Sequence, residues 1–150
     1  MLLQKQIAEL ESYIPRMEQV NSKVTHSTVG WQIDHSLRVI YGVSQQMEIS
    51  NPNEFESKFN FTKLIIMTTG YIPRGKAKAP KAVRNENPIT EESIRDLVEK
   101  IKEQILKLNT LDKNAHFEHP YFGKLNKKEA IRFLGIHTGH HLKIIRDMLN

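Results

Sequence analysis

The feature of this sequence that most restricts its fold is a helical repeat of apolar residues between Thr90 and Leu108. The repeat has the 3.6-residue spacing of one face of an α-helix and consists of Ile94, Leu97, Val98, Ile101, Ile105 and Leu108. Glu91 and Glu92 follow Thr90, and acidic residues stabilise the first turn of a helix. The segment is therefore predicted to be an amphipathic helix that begins after Thr90.

Two further stripes predict helices in the first third of the chain. Pro15 lies within the first stripe and should break or kink that helix, because proline lacks a backbone donor. The second helix is predicted to run from Ser27, as its N-cap, to about Glu48. The first stripe consists of Leu3, Ile7, Leu10, Ile14 and Met17, and the second of Ile33, Leu37, Ile40 and Met47.

A short helix is predicted in the middle of the chain. Asn53 and Glu56 have the spacing of a capping box, in which each side chain bonds to the backbone of the other residue. Phe55, Phe59 and the run LIIM supply apolar surface behind them. Gly70 is expected to end this helix, because glycine adopts the left-handed conformation of a helix C-terminus at little cost.

The last helix is predicted to run from Lys127 to about Leu149, behind a second capping-box pair of Asn126 and Glu129. No segment alternates apolar and polar residues with a period of two, and no internal repeat is found. The predicted fold is therefore all-α, a four-helix bundle with an extra short helix and a long basic loop. A chain of 150 residues fits one domain, residues 1–150.

The composition favours a cytoplasmic location. The chain has no cysteine, which excludes disulfides, thiolate zinc sites and cysteine nucleophiles. The N-terminal residues do not form the apolar core of a signal peptide, and no run of about 18 apolar residues is long enough to span a bilayer. We therefore expect a soluble cytoplasmic protein without a membrane partner.

The formal charge of +5 comes from one loop. The segment RGKAKAPKAVR, residues 74–84, contains no acidic residue, and the rest of the chain has as many acidic as basic side chains. Three interpretations remain open: a solvated loop, a site for an anionic small-molecule substrate, or a contact with nucleic acid. The last is disfavoured because aromatic residues are not interleaved with the basic ones. The basic residues are Arg74, Lys76, Lys78, Lys81 and Arg84.

The stretch FLGIHTGHHLKII, residues 133–145, contains three histidines on a predicted apolar helix. His137 and His141 are four residues apart, so their Cβ atoms would lie about 6 Å apart and both rings could bind one metal ion. The alternative is a pair of core histidines with ordinary hydrogen bonds. His140 falls on the flank of the helix. The inward stripe, within about 80° of the helical wheel, consists of Ala130, Leu134, His137, His141, Ile145 and Met148.

His35 is a third candidate ligand, within the second predicted helix. Metal sites in helical bundles are built from side chains on facing helices, so a ligand from another helix is needed. The wheel, however, places His35 almost opposite the stripe of Ile33 and Leu37. Periodicity alone therefore indicates a boundary position for His35.

Three segments together resemble a known family. They are GWQIDHSLRVI on an early helix, HPYFGKL in a connector, and IHTGHHLKIIRDML on the last helix. The sequence is similar in these segments to the DinB-like (YfiT-like) superfamily of metal-dependent enzymes, in a branch marked by PRGKAKAP and HPYFGKL. The likeness covers most of the chain from about Val24 onward.

The resemblance implies a four-helix bundle with a three-histidine divalent metal site. Carried over residue by residue, the ligands would be His35, His137 and His141. Three neutral ligands leave at least one coordination position open, which is typical of a catalytic site. The ion would activate a water or a low-molecular-weight thiol, so hydrolase and thiol-dependent transferase chemistry both remain open, and an anionic thiol is a candidate substrate. Imidazole ligands suit zinc and nickel, with iron as a further candidate.

Four other residues are candidates for substrate contact or for support of the ligands: His140, His119, Tyr121 and Asp34. Each also has an ordinary interpretation, such as a turn residue for His119 or a solvated residue for Asp34. The alternative to an enzyme is a non-catalytic module that binds anions or nucleic acid through residues 74–84.

Gly135 and Gly139 share one face of the last helix, opposite the predicted core stripe. Each costs about 1 kcal/mol relative to alanine in a helix. We expect another helix to approach closely there, and a second copy of the chain in a homodimer is one source of such a helix.

Overall fold

The computed structural model describes residues 2–75 and 87–150. These residues form five α-helices and a β-hairpin, with short 3₁₀ turns at Ile14–Arg16 and Pro52–Glu54. The elements are α1 (Leu2–Ser12), α2 (Val29–Ile49), α3 (Phe61–Thr69), α4 (Glu91–Thr110), β1 (His116–His119), β2 (Gly123–Asn126) and α5 (Lys127–Leu149).

The long helices α1, α2, α4 and α5 surround one hydrophobic core. Helix α2 packs against both α4 and α5, and α1 packs against α5. The mostly helical structure confirms the all-α class in outline. Side chains with almost no exposed surface fill the core, among them Leu10, Ile33, Leu37, Ile40, Ile101, Leu125 and Leu134.

The starts of α4 and α5 confirm the predictions. The Thr90 side chain accepts a hydrogen bond from the backbone N–H of Ser93, and the Ser93 hydroxyl accepts one from the N–H of Thr90. Asn126 and Glu129 exchange the same pair of bonds, at 3.0 and 3.1 Å. Both caps satisfy backbone donors that the first turn of a helix leaves without partners.

The prediction for the start of α2 was wrong by one residue. Thr28, not Ser27, is the N-cap, and its side chain accepts a hydrogen bond from the backbone N–H of Trp31. The Ser27 hydroxyl instead accepts a bond from the side chain of Gln32. The predicted break at Pro15 is confirmed, because α1 ends at Ser12 and Pro15 lies in a 3₁₀ turn.

The predicted start of the short helix was also wrong. Asn53 belongs to a 3₁₀ turn, and α3 begins only at Phe61, behind Asn60 as its N-cap. Asn60 accepts a hydrogen bond from the backbone N–H of Lys63 at 2.9 Å and donates one to the carbonyl of Tyr121 at 2.8 Å. The predicted end is confirmed, because Gly70 has a left-handed φ of 65° and bonds to the Ile66 carbonyl.

The hairpin was not predicted. Strands β1 and β2 pair antiparallel with Phe117 opposite Leu125, and both of these side chains are buried. Each strand has only four residues, which is too short to show a sustained period of two. The hairpin connects the end of α4 to the start of α5.

Gly135 and Gly139 do contact a helix, and that helix is α1 of the same chain. The Gln6 side chain donates a hydrogen bond to the Gly135 carbonyl at 2.9 Å. A Cβ atom at Gly139 would lie 3.2 Å from the Gln6 Nε2 atom, closer than an ordinary van der Waals contact. The close approach expected from the glycines is therefore accounted for within one chain, and the homodimer stays a prediction.

Two asparagine variants test the corrected start of α3. We expect Asn60→Ala to lower the free energy of unfolding by about 1 to 2 kcal/mol, because it removes a helix cap and a bond to the hairpin. Asn53→Ala should change it by less than about 0.5 kcal/mol, because Asn53 is exposed and does not cap α3. Urea denaturation measures both values, and equal losses in the two variants would contradict the assignment of Asn60 as the cap.

Candidate metal centre

Three histidines meet between α2 and α5. His35 extends from α2, and His137 and His141 lie one turn apart on α5. The ring centroids are 5.2 Å apart for His35 and His137, 4.8 Å for His35 and His141, and 4.6 Å for His137 and His141. Each ring offers one nitrogen atom, and these three nitrogens lie within 4.8 Å of one another.

The spacing of the three nitrogens fits one metal ion after a small contraction. Imidazole nitrogens that share a tetrahedral zinc ion at ~2.1 Å lie about 3.4 Å apart. Because all three nitrogens lie within 4.8 Å of one another, no pair would have to move closer by more than about 1.4 Å. The chemistry of the donors also fits, because imidazole binds zinc, nickel and iron.

A hydrogen bond to Gln32 of α2 orients the ring of His141. The Nδ1 atom of His141 lies 2.6 Å from the Gln32 Oε1 atom, and the Gln32 amide nitrogen donates to the Ser27 hydroxyl at 2.7 Å. An amide oxygen can only accept, so Nδ1 of His141 carries the proton. The Nε2 atom therefore keeps its lone pair, which is the form that binds a metal. Sequence reasoning missed Gln32, because its partner His141 lies 109 residues further along the chain.

One ring nitrogen of His137 makes no hydrogen bond to the described residues. This atom, Nδ1, is buried. A buried polar group without a partner costs about 1 to 3 kcal/mol. The three-histidine cluster thus contains a nitrogen that is suited to bind a ligand.

Trp31 lies at the edge of the cluster. Its ring stacks on that of His35 with centroids 4.9 Å apart and planes within 5° of parallel, and it stands 6.3 Å from the ring of His141. The Trp31 side chain is 36% exposed. It therefore restricts rotation of the His35 ring and forms one border between the cluster and solvent.

Burial keeps two histidines of the cluster, His137 and His141, uncharged. The pKa values of His137 and His141 lie well below the usual 6.5, first because burial disfavours the charged imidazolium and then because neighbouring histidines repel it. Metal ions bind the neutral form of imidazole. The rings are therefore held in the protonation state that coordination requires.

The structure corrects the placement of His35 and confirms that of His140. The helical wheel indicated a boundary position for His35, but only 6% of the residue is exposed, because α5 covers the side of α2 opposite the main stripe. His140 is half-buried on the flank of α5, as predicted, and lies near the backbone of Ile72. Burial lowers its pKa, and the nearby Arg74 lowers it further.

His119 lies one aromatic ring away from the cluster, at the turn of the hairpin. Phe133 stands between them, 4.8 Å from the ring of His119 and 5.6 Å from that of His137. The Nδ1 atom of His119 accepts hydrogen bonds from the backbone N–H groups of Tyr121 and Phe122. The proton of the neutral ring is therefore on Nε2, which makes His119 a hydrogen-bond donor of fixed orientation.

Tyr121 and Asp34 have structural partners away from the cluster. Tyr121 is exposed, and its carbonyl accepts the bond from Asn60. The expectation that Asp34 is solvated was wrong, since only 2% of the residue is exposed. Its Oδ2 atom accepts a hydrogen bond from Arg38 at 2.8 Å, one turn further along α2. Their proposed roles near a substrate stay predictions.

Most of the predicted anion-binding loop lies outside the described residues, including Lys76, Lys78, Lys81 and Arg84. Arg74 is described, and its guanidinium forms an ion pair of 2.6 Å with Asp147 near the end of α5. Arg74 is thus held on the same side of α5 as His140.

Comparisons of the chain with protein-family models, with curated proteins and with solved structures gave no match. The geometry of the histidine cluster is therefore the basis for any functional argument. No helix in residues 2–75 or 87–150 is long and apolar enough to cross a membrane.

The lowered pKa of His119 predicts how the stability of the fold depends on pH. Burial lowers its pKa from 6.5 to about 4, so below pH 6.5 the unfolded chain binds a proton that the folded chain does not. The stability gained from the neutral ring is complete above pH 6.5 and is lost as the pH falls toward 4. A difference of one bound proton changes the free energy of unfolding by at most about 1.4 kcal/mol per pH unit. The change is smaller here because the ring is partly exposed.

Denaturation of metal-free protein between pH 7 and 4 measures this dependence. We expect His119→Gln to show a smaller loss of stability over that range than the unaltered chain. Equal slopes in the two proteins would contradict a neutral His119 in the folded state.

Proposed function

We propose that His35, His137 and His141 bind one divalent metal ion and that the protein is a metal-dependent enzyme. The observation that supports this most is the convergence of three ring nitrogens within 4.8 Å, supplied by two facing helices. The hydrogen bond from His141 to Gln32 adds support, because ligand histidines usually donate their second ring N–H to a fixed acceptor.

The proposed chemistry is activation of a water or of a low-molecular-weight thiol. A bound divalent ion would lower the pKa of a water or ionise a thiol, and either change makes a nucleophile near neutral pH. Three neutral ligands leave the full charge of the ion and an open position for substrate. The reaction class is therefore that of a hydrolase or a thiol-dependent transferase.

Residues of this chain would position substrate beside that ion. The exposed edge of Trp31 forms an apolar border, and the Nε2–H of His119 is a neutral donor of fixed orientation. Arg74 lies near His140 on the flank of α5, and beyond its ion pair with Asp147 its guanidinium has further donors for an anionic substrate such as a thiol with carboxylates.

We further propose that the chain belongs to the DinB-like superfamily. The three-segment resemblance in the sequence supports this, as do the helical architecture and the positions of the three histidines on α2 and α5. Zinc and nickel are the preferred candidates for the ion, and iron is a further one.

Metal content tests the proposed site. Protein purified without a polyhistidine tag is expected to bind about one zinc or nickel ion per chain, and His137→Ala and His141→Ala should each weaken binding more than about 100-fold. His26→Ala is the matched control, because His26 is exposed and lies outside the cluster. Titration of metal-free protein can be followed by the fluorescence of Trp31, the single tryptophan, which stacks on His35.

Two variants of Gln32 test whether its hydrogen bond with His141 supports metal binding in the same titration. Gln32→Ala should weaken metal binding about 10- to 100-fold, and Gln32→Glu should retain most of it because a carboxylate also accepts from His141. A wild-type chain that neither retains nor takes up a divalent metal would overturn the proposed site. Equal loss in His26→Ala would show that the effect is not specific to the cluster.

Activity assays test the proposed chemistry. Metal-loaded protein is expected either to hydrolyse an activated ester without added thiol or to consume an aromatic halide only when a thiol such as cysteine is present. The activity should fall at least about 100-fold on chelation of the metal and in His137→Ala, because the nucleophile depends on the ion. Activity that persists unchanged in metal-free protein would contradict a metal-dependent reaction.

A further inference from the structure

Helix α3 buries a lysine and exposes several large apolar side chains, while its Ile66 and Met67 pack partly against the core. Its one buried residue is Lys63, of which 9% is exposed, and its Nζ atom pairs with Glu129 of α5 at 3.1 Å. Phe61, Leu64 and Ile65 are 66%, 51% and 44% exposed. At 100° per residue these three residues lie within about 100° on the outer side of the helix.

The residues that flank α3 extend this apolar surface. Phe59, before the helix, is 83% exposed, and Tyr71, after it, is 62% exposed. We define the α3 face as Phe59, Phe61, Leu64, Ile65 and Tyr71. Five large apolar side chains exposed within thirteen residues form a patch of the kind that marks an interaction site, because single exposed apolar residues are normally scattered.

Basic side chains adjoin the α3 face. Lys128 and Arg132, both exposed on the first turns of α5, line one groove together with Phe59 and Leu64. The one acidic residue of that groove, Glu129, is neutralised by its ion pair with Lys63. Lys128 and Arg132 thus place positive charge beside an apolar surface.

We propose that the α3 face binds the surface of a membrane that contains anionic lipids. A short helix with aromatic and aliphatic residues on its outer side and adjacent cations has the chemistry of interfacial binding: apolar groups enter the acyl boundary and cations pair with phosphates. Phe59, Phe61 and Tyr71 lie at the two ends of the helix, and aromatic rings favour the headgroup region. Such peripheral binding requires no membrane-spanning helix, and the proposal differs in this respect from the expectation of no membrane partner.

Charge argues against a second copy of the chain as the occupant of this surface. A contact between two α3 faces would place Lys128 and Arg132 of both copies in one interface without acidic partners from the face, and an excess of like charge in an interface is unfavourable. An anionic lipid surface instead offers opposite charge to every cation around the face. The proposal is independent of metal binding, because no residue of the α3 face belongs to the histidine cluster.

Vesicle co-sedimentation tests the proposal with the full chain. Binding is expected with vesicles of phosphatidylcholine mixed with phosphatidylglycerol, at least tenfold weaker binding with phosphatidylcholine alone, and weaker binding as salt is added. The double variant Phe61→Ser with Leu64→Ser should reduce binding at least tenfold, because two apolar side chains no longer enter the lipid. Far-ultraviolet circular dichroism and thermal unfolding confirm that the variant is folded.

The matched control is the double variant Ile49→Ser with Leu106→Ser. These residues are 85% and 65% exposed but lie on α2 and α4, away from the α3 face. The control should bind vesicles like the unaltered chain. Absence of binding to anionic vesicles, or equal binding by the α3 variant and the unaltered chain, would overturn the proposal. A dimer by light scattering that only the α3 variant loses would assign this surface to a second copy instead.

Discussion

The packing of α2 against α5 is the contact on which the candidate site depends. Trp31 and Gln32 lie near His141, whereas His35, further along α2, lies near both His141 and the earlier His137. The two helices therefore run antiparallel. The bond from His141 to Gln32 connects them inside the core, where a polar group needs a partner. The remaining elements support this contact: α4 covers the other side of α2, and α1 packs on the glycine face of α5.

Local sequence patterns predicted the long helices because their signals do not depend on the rest of the fold. The caps at Thr90 and Asn126 involve residues within one turn, so the sequence alone indicates them. The start of α3 was misplaced because three of its apolar residues face outward and its lysine is buried against Glu129, a contact 66 residues away. The hairpin was missed because each strand is four residues long.

The candidate site was predictable to the extent that it is local. His137 and His141 share a face of α5 by their spacing, whereas His35 faces them only because of how α2 and α5 pack. Periodicity therefore indicated a boundary position for His35, and the family resemblance supplied it as a candidate ligand. Gln32 could not have been predicted, because its partners Ser27 and His141 meet only in the folded chain. The proposed membrane surface likewise could not be predicted from the sequence, because it depends on which apolar side chains the fold leaves exposed on α3.

The most direct test of the central claim is an anomalous-difference map from crystals of the zinc-loaded protein. The account predicts one peak between α2 and α5, bonded at ~2.0 to 2.1 Å to one nitrogen each of His35, His137 and His141. The peak should be absent in crystals of His137→Ala grown with the same zinc. A zinc-loaded crystal without a peak between these helices, or with zinc bound only at surface histidines, would contradict the account.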